Sequence, residues 1–419
     1  AKYGGGIFLI IYIVLALTFG YTMIVAETAI GRMTRKSPVG AFKSFGKKKW
    51  LSFGGWINAV IPVLIVPYYS VIGGWVIKYL VEYFRGNAKL LAEDGYFTDF
   101  ISNGVSTELC FVAFCAFTLI IIFAGVQNGI ERVSKIMMPI LIVLSVIIAV
   151  YSVTRPGALA GVKYFLVPNV KNFSWMTVVS AMGQMFYSLS IAMGILITFG
   201  SYMKKDTAIE DSTRNVEIFD TGIAIMAGLM IIPAVFAFSG GDPDTLQAGP
   251  SLMFITIPKV FQNMGFGTVI GIVFFLLVLF AAVTSSIALT ESAVSTFEDE
   301  LGWGRKKATV LVGVIMLALG SLSSLGYGPL AGIKIIGMQF LDLFDFLTNS
   351  VMMPIAALLT SLFVSRVVGI DKIEEEIIHG ESAFRRKKVF VVMIKYLCPV
   401  FAIIILLSSV ANALGWIKM

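Results

Sequence analysis

Ten apolar stretches dominate the 419-residue sequence and constrain its fold more than any other feature. They cover residues 6–30, 55–80, 108–126, 136–154, 176–202, 219–238, 265–296, 308–326, 339–366 and 389–415. A helix of about 20 apolar residues crosses a hydrocarbon core roughly 30 Å thick. No soluble segment separates the stretches, so the sequence predicts one all-α membrane domain over residues 1–419. The chain is therefore expected to be a multi-pass protein of the cell membrane, with the lipid bilayer as its surroundings.

Basic residues predict how these segments are oriented. Of the 32 Lys and Arg residues, 21 lie in loops 32–49, 126–135, 203–214, 298–307 and 366–388, and nine lie in the other loops and at the chain ends. Because short loops rich in Lys and Arg stay in the cytoplasm, both ends of this chain are predicted to be extracellular. The same distribution accounts for the net charge of +7 without a nucleic-acid partner.

An extracellular N-terminus has two explanations. Only Lys2 precedes the first span, and nothing else in the flank would carry it across the membrane. A missing upstream helix would place the true N-terminus in the cytoplasm, whereas a first span inserted as a reverse signal would need no such helix. Topology leaves both explanations open.

The sequence lacks the residues of common enzyme sites. His379, the only histidine, lies in a charged loop, and Cys110, Cys115 and Cys398 lie within apolar stretches. A His-built metal site or a Ser-His or Cys-His catalytic pair is therefore not expected. The nucleophile-elbow, zinc-protease and phosphate-loop motifs do not occur either. We predict that the chain is not an enzyme.

Six motifs along the chain share one pattern. They are Lys2-Tyr-Gly-Gly-Gly-Ile-Phe, Ala26-Glu-Thr-Ala-Ile-Gly-Arg32, Gly129-Ile-Glu-Arg-Val-Ser-Lys, Gly183-Gln-Met-Phe-Tyr-Ser-Leu-Ser190, Gly249-Pro-Ser-Leu-Met-Phe-Ile-Thr-Ile-Pro258 and Thr284-Ser-Ser286. Together, in order and over essentially the whole chain, they resemble the neurotransmitter:sodium symporter family, including bacterial sodium-dependent amino-acid transporters. The resemblance implies the inverted-repeat, leucine-transporter-like fold. It also implies that the ten spans are the family's second to eleventh helices and that the first helix is absent.

The fifth stretch contains a polar, small-residue segment from Ser188 to Gly194. Membrane backbone leaves the helix only where it is buried or lines a cavity, and transporters of this fold use such breaks near the midplane. We expect a break at Ser188, Ser190 and Gly194. The alternative is an unbroken helix with a small-residue packing face.

The resemblance implies a substrate site around this break. Its residues would be Ile65, Tyr69, Tyr187, Ser188, Ser190, Met193, Ser285 and Leu289. Tyr69 would bind the substrate carboxylate and Tyr187 would form an outer aromatic lid, although a membrane-helix aromatic is also consistent with simple packing. Met193 stands where the family often has an aromatic residue, and its flexible side chain suits irregular apolar ligands. A large apolar or aromatic amino acid is therefore expected.

Two sodium sites are implied as well. Ser188 and Asp220 would belong to the first site, and Ala281, Thr284 and Ser285 to the second. Hard cations take oxygen ligands, and spacings of three and four place the second set on one helical face. The alternative is that Thr284 and Ser285 bond back to carbonyls four residues earlier.

Three carboxylates receive further roles. Asp220 lies in an apolar stretch, where a carboxylate is a candidate functional group, and Ala224 stands where chloride-dependent family members have Ser. Chloride is therefore not expected to be required; the alternative is that Asp220 is a helix N-cap. The resemblance implies that Asp345 is the outer gate and Asp299 the inner gate, each paired with an Arg outside this chain. Asp299 is also consistent with a solvated loop charge.

These expectations combine into sodium-coupled symport of an amino acid by alternating access. Without a first helix, the chain alone is expected to be inactive. The alternative is a non-transporting membrane scaffold or amino-acid sensor derived from a symporter. A homodimer is left open by the sequence.

Overall fold

The computed structural model describes residues 3–241 and 249–413, and these residues form helices joined by turns and loops. Nine helices in this part of the chain are long and apolar enough to cross a membrane. They are α1 Gly6–Thr34, α2 Lys49–Phe84, α3 Gly104–Phe123, α4 Val126–Val153, α6 Ile209–Ser239, α7 Gly267–Leu301, α8 Arg305–Leu325, α9 Phe340–Val368 and α10 Lys387–Asn412. The predicted all-α, multi-pass fold is confirmed. Lys2 of the first motif and residues 414–415 of the last predicted span lie outside the described residues.

The fifth predicted span is interrupted. It consists of α5a (Trp175–Ser188) and α5b (Ile195–Tyr202), separated by a short non-helical segment. Ser190, Ala192 and Gly194 have φ angles of 54°, 57° and 72°. A left-handed conformation costs a residue other than glycine about 1–2 kcal/mol, and a right-handed helix cannot pass through it. The expected break is therefore present, and an unbroken packing helix is excluded.

Several helices extend beyond their apolar cores, and α6 shows this best. It begins at Ile209, ten residues before the predicted start of its span, and carries Glu210 and Asp211 in its first turn. Acidic side chains stabilise a helix N-terminus through the helix dipole, so a segment that resembles a polar loop is helical. Asp220 consequently lies well inside α6, and its alternative interpretation as an N-cap is wrong.

The centre of the bundle is built on α2 and α7, which pack along each other, while α2 also packs against α3 and α8. On one side α1 packs closely against α5b. Gly200 of α5b makes this approach feasible, because a Cβ atom at this position would lie 2.5 Å from the Thr28 carbonyl oxygen of α1. Small residues allow such close helix contacts in membranes. The second half of the broken span is thus held by α1.

A buried ion pair connects α1 and α5b at the end of these helices that faces the Lys- and Arg-rich loops. The Arg32 side chain in α1 is fully buried, and its Nε donates to Glu376 Oε1 at 2.7 Å. Lys205 Nζ, just after α5b, donates to both Glu376 oxygens at 2.8 and 2.6 Å. Glu376 belongs to the short helix Ile370–Ile378 between α9 and α10. Three segments distant in sequence are therefore connected through one carboxylate.

Candidate functional site

The break in the fifth span leaves backbone groups that a continuous helix would pair internally. Part of this requirement is met nearby, because the Ser190 amide donates to the Tyr187 carbonyl at 3.3 Å and the Ile191 amide to the Phe186 carbonyl at 3.3 Å. The Ala192 amide instead donates to Glu27 Oε1 of α1 at 2.8 Å. The break is thus held by a side chain 165 residues away.

Glu27 is a buried carboxylate beside the break to which the sequence analysis assigned no role. Its side chain is fully buried in α1, and its second oxygen has no hydrogen-bond partner among the described residues. Glu27 lies within the motif Ala26-Glu-Thr-Ala-Ile-Gly-Arg32. The sequence feature that pointed to Asp220 also applies to Glu27, because a carboxylate inside an apolar stretch is a candidate functional group by default.

Seven of the eight predicted substrate residues line one cavity of about 50 Å³ beside the break. The lining residues are Ile65, Tyr69, Tyr187, Ser190, Met193, Ser285 and Leu289, joined by Ile195 and Ala288, which the sequence analysis did not select. Hydroxyl groups and aliphatic side chains therefore share one enclosure between α2, α5a, α5b and α7. Such a mixture suits a small molecule with a polar and an apolar end.

Ser188, the eighth residue, lies outside this cavity lining and contacts Asp220. Its hydroxyl donates to Asp220 Oδ1 at 2.6 Å, while the Tyr12 hydroxyl donates to Asp220 Oδ2 at 2.5 Å. Three helices, α1, α5a and α6, thus meet at one carboxylate. Tyr12 is a second residue that the sequence analysis did not select. The cluster combines a negative charge with two hydroxyl oxygens, which are ligand types for a hard cation.

The three residues predicted for the second sodium site, Ala281, Thr284 and Ser285, have different surroundings in α7. The Thr284 hydroxyl donates to the carbonyl oxygens of Phe280 at 3.1 Å and Ala281 at 3.0 Å, which is the geometry of the back-bonding alternative. It also places two oxygens, Thr284 Oγ1 and the Ala281 carbonyl, side by side. Ser285 is exposed and lines the cavity beside the break. Over residues 3–241 and 249–413, no group of three or more His, Cys, Asp or Glu side chains is placed to hold a metal.

The two predicted gate carboxylates lie in different environments. Asp345 Oδ1 accepts hydrogen bonds from the Tyr68 hydroxyl at 3.2 Å and from Asn349 Nδ2 at 2.6 Å. Asp299 lies in the last turns of α7 and not in a loop, but it is exposed, so its alternative interpretation as a solvated charge stays open; it accepts a hydrogen bond from the Ser37 backbone amide at 2.6 Å. Neither carboxylate forms an ion pair with an Arg of the described residues.

Another network, which the sequence analysis did not predict, lies between α5b, α7 and α8. Glu291 in α7 is fully buried, and Arg305 donates to its two oxygens at 3.0 and 2.6 Å. The Tyr202 hydroxyl at the end of α5b donates to the same carboxylate at 2.7 Å. Paired Arg–carboxylate bonds of this kind are strong and directional. They fix the basic-loop end of α5b against the two helices.

Comparison with known proteins identifies the family. The model of the sodium:neurotransmitter symporter family matches residues 1–91 and 97–416. An uncharacterized sodium-dependent transporter of Bacillus subtilis, YhdH, is 33% identical over 97% of this chain and 90% of its own length. An uncharacterized sodium-dependent transporter of Haemophilus influenzae is 30% identical over 97% of this chain and 91% of its own length.

A solved structure agrees with this fold. The crystal structure of MhsT in complex with L-phenylalanine has a TM-score of 0.86 and 33% identity, and it covers 97% of this chain and 92% of that one. The relatives named here are transporters, which confirms the prediction that the chain is not an enzyme. The matches do not support the expectation that a first helix is missing, and they do not confirm that the chain alone is inactive. The chain belongs to the sodium:neurotransmitter symporter family.

Proposed function

We propose that this protein transports an amino acid together with sodium by alternating access. The observation that carries the proposal is the break between α5a and α5b, which opens beside a cavity lined by hydroxyl and aliphatic groups. Broken helices at such sites provide helix termini and free carbonyls for a substrate and its coupling ion. A bundle whose helices serve only to pack against each other does not require this interruption.

The proposed substrate is a large apolar or aromatic amino acid, which the cavity of about 50 Å³ would admit only after its walls move apart in another state of the transport cycle. Ile65, Met193 and Leu289 supply the apolar wall of the cavity, and the hydroxyl of Tyr69 supplies a donor for the substrate carboxylate. Met193 is flexible and adapts to differently shaped side chains. The complex of MhsT with L-phenylalanine supports this class of substrate for a chain that is 33% identical to MhsT.

The two sodium positions follow the oxygen clusters. The first is proposed at Ser188 and Asp220, where the Ser188 hydroxyl oxygen lies 2.6 Å from Asp220 Oδ1. The second is proposed at Thr284 and the Ala281 carbonyl, with Ser285 beside them. Both sets fit a hard monovalent cation, because their ligands are hydroxyl, carbonyl and carboxylate oxygens. At the second position the Thr284 hydroxyl would exchange its bonds to the Phe280 and Ala281 carbonyls for a contact with the ion.

Chloride is proposed to be unnecessary. Asp220 places a fixed negative charge at the first sodium position and receives hydrogen bonds from two hydroxyls. Ala224, one turn further along α6, offers no polar side chain to an anion. A carboxylate that is part of the protein supplies the charge balance that a bound anion would otherwise provide.

Transport would follow because sodium and the amino acid bind with different affinities to the outward-open and inward-open states. A ligand shifts a conformational equilibrium only through its differential affinity for the two states. Asp345, which accepts a hydrogen bond from Tyr68 of α2, and Asp299, at the end of α7, are proposed as the outer and inner gate residues. The basic loops are proposed to lie in the cytoplasm of a cell whose surface membrane holds the protein, with both ends of this chain outside.

Binding of radiolabelled L-phenylalanine to the purified protein, made from the longest reading frame that contains this chain, tests the proposed site. We expect saturable binding in sodium and little in potassium, and about tenfold weaker binding for Tyr69→Phe, which loses one hydrogen bond to a charged group. Tyr396→Phe serves as the matched control, because Tyr396 is 65% exposed on the outside of the bundle. Equal binding in sodium and potassium, or an unchanged Tyr69→Phe, would contradict the site.

A further inference from the structure

The segment that leads into α2 carries a high positive charge and no acidic residue. Residues 32–49 contain seven Lys or Arg, and no Asp or Glu occurs from residue 28 to residue 81. Four of the seven lie close together at the end of this segment, and all four are exposed: Lys43, Lys47, Lys48 and Lys49. Basic clusters of this size directly beside a membrane helix attract anionic lipids.

Three of these lysines, Lys47, Lys48 and Lys49, have no acidic partner and are called the lysine cluster here. Lys43 differs, because its Nζ lies 2.6 Å from Glu300 Oε2 of α7 and its charge is compensated. None of the ion pairs among the described residues includes a member of the lysine cluster. The first turn of α2 contains no acidic residue either. Three adjacent uncompensated charges create a positive potential that attracts an anion.

Aromatic contacts hold the turn before α2 in place. Phe42 stacks on Phe363 of α9 with ring centroids 4.1 Å apart, and Phe45 contacts the same ring edge-on at 5.4 Å. Lys43 Nζ lies 5.8 Å from the centroid of the Trp56 ring, so this turn lies beside the outer face of α2. The lysine cluster therefore extends from an ordered backbone, which lowers the conformational entropy that a bound ligand has to remove.

An exposed aromatic face of α2 continues from the lysine cluster into the membrane. Lys49, Phe53 and Trp56 follow each other at spacings of four and three residues, which places them on one side of the helix. Phe53 is 56% and Trp56 is 38% exposed. Trp56 lies about 10 Å further along the helix axis than Lys49, at a rise of roughly 1.5 Å per residue, and the apolar stretch begins at residue 55. Since a headgroup layer is about 5–8 Å thick, Trp56 reaches the hydrocarbon when the lysine cluster lies at the level of the phosphates.

We propose that the lysine cluster and the Phe53–Trp56 face together bind an anionic phospholipid, such as phosphatidylglycerol. The ammonium groups donate to the lipid phosphate, and an acyl chain lies along Phe53 and Trp56. Phosphatidylcholine has the same phosphate, but its own ammonium cancels the charge, so the uncompensated lysines favour the anionic lipid. An acidic peptide or a nucleic acid would match the charge and leave the aromatic face at hydrocarbon depth uncovered.

Native mass spectrometry of the full protein, released from bilayers with equal amounts of phosphatidylglycerol and phosphatidylcholine of the same acyl chains, tests this proposal. We expect phosphatidylglycerol to remain bound preferentially. The combined change Lys47→Gln, Lys48→Gln and Lys49→Gln should lower this preference about fivefold or more, since one lysine near an anionic surface contributes about a factor of five. These side chains are exposed, so the variant should fold.

A matched control removes the same charge at the opposite end of the spans. The combined change Lys89→Gln, Lys163→Gln and Lys171→Gln replaces three exposed lysines that belong to separate segments, and it should leave the preference unchanged. Equal retention of the two lipids by the wild type, or the same loss in both triple variants, would overturn the proposal. Dissociation of a dimer by the change in the lysine cluster would also overturn it, because the occupant would then be a second copy of the chain.

Tryptophan fluorescence tests the position of the acyl chain without altering a lysine. Phosphatidylglycerol with brominated acyl chains should quench the fluorescence of the protein more strongly than brominated phosphatidylcholine at the same fraction of the bilayer. Because Trp56 lies on the proposed path of the acyl chain, Trp56→Phe should reduce this excess quenching. Equal quenching by the two lipids, or an excess that is unchanged in Trp56→Phe, would overturn the proposal.

Discussion

Replacing Glu27 by alanine removes the acceptor that holds the break in the fifth span. The Ala192 amide donates to Glu27 Oε1 at 2.8 Å, and both residues are fully buried. Loss of a partner to a buried donor costs about 1–3 kcal/mol. Since about 1.4 kcal/mol is a factor of ten in an equilibrium constant, local opening of the break should become about 5- to 150-fold more frequent. Ala192 has a φ of 57°, so its own backbone preference does not oppose this opening.

Hydrogen exchange of peptides that cover residues 186–196, measured in lipid nanodiscs, reports this opening directly. Glu27→Ala should accelerate exchange of the Ala192 amide by the factor given above. Glu27→Gln keeps a side-chain carbonyl oxygen as acceptor, so its effect should be clearly smaller. Glu131→Ala, which removes an exposed carboxylate, should change nothing in this segment.

L-phenylalanine binding supplies a second readout. The break must be ordered to bind a ligand, so affinity should fall in the same order, with Glu27→Ala below Glu27→Gln and Glu27→Gln below the wild type. If Glu27→Ala leaves the exchange of this segment unchanged, the hydrogen bond does not hold the break. If the alanine and glutamine variants behave alike, the charge of Glu27 matters and its acceptor role does not.

Three further predictions address the ions and the orientation. Replacing chloride by gluconate should leave uptake unchanged, because Asp220 supplies the negative charge, and loss of uptake would show that the charge assignment is wrong. Thr284→Val combined with Ser285→Ala should raise the sodium concentration for half-maximal uptake about tenfold or more, since each hydroxyl ligand removed from a cation site loses at least one charge–dipole contact. Thr284→Ser, which keeps the oxygen, should be mild, and unchanged sodium dependence in the double variant would mean that these hydroxyls only pack. In intact cells a cysteine near Lys48 should resist an impermeant thiol reagent and one near Asn87 should react; the reverse pattern would refute the predicted orientation.

Local sequence patterns predicted the elements that depend on nearby residues. The apolar stretches gave the spans, and the Ser188 to Gly194 segment gave the break, because left-handed backbone and small polar residues are properties of that segment itself. Helix ends were predicted less well. The start of α6 at Ile209 lies in a polar segment whose helical form depends on contacts such as the Glu210 carboxylate accepting from the Arg385 backbone amide at 2.6 Å.

Contacts between distant segments explain the rest of the difference. Glu27 and Ala192 are 165 residues apart, and Tyr12 and Asp220 are 208 residues apart. No periodicity within either segment indicates such a pair. The resemblance to a family selected seven residues that line one cavity, but it gave no partner for residues whose contacts depend on a second helix. Thr284 is a case that the structure leaves open, because its hydroxyl bonds back to the Phe280 and Ala281 carbonyls and its role as a sodium ligand stays a prediction.

Sodium-driven uptake into proteoliposomes tests the central claim most directly. The protein, expressed from the longest reading frame that contains this chain, is reconstituted with potassium inside and either sodium or potassium outside, and entry of radiolabelled L-phenylalanine is followed. The account predicts transient accumulation above the external concentration only under the inward sodium gradient, and collapse of that accumulation when a sodium ionophore is added. Saturable binding of L-phenylalanine without accumulation under any gradient would contradict symport and would indicate an amino-acid sensor or scaffold.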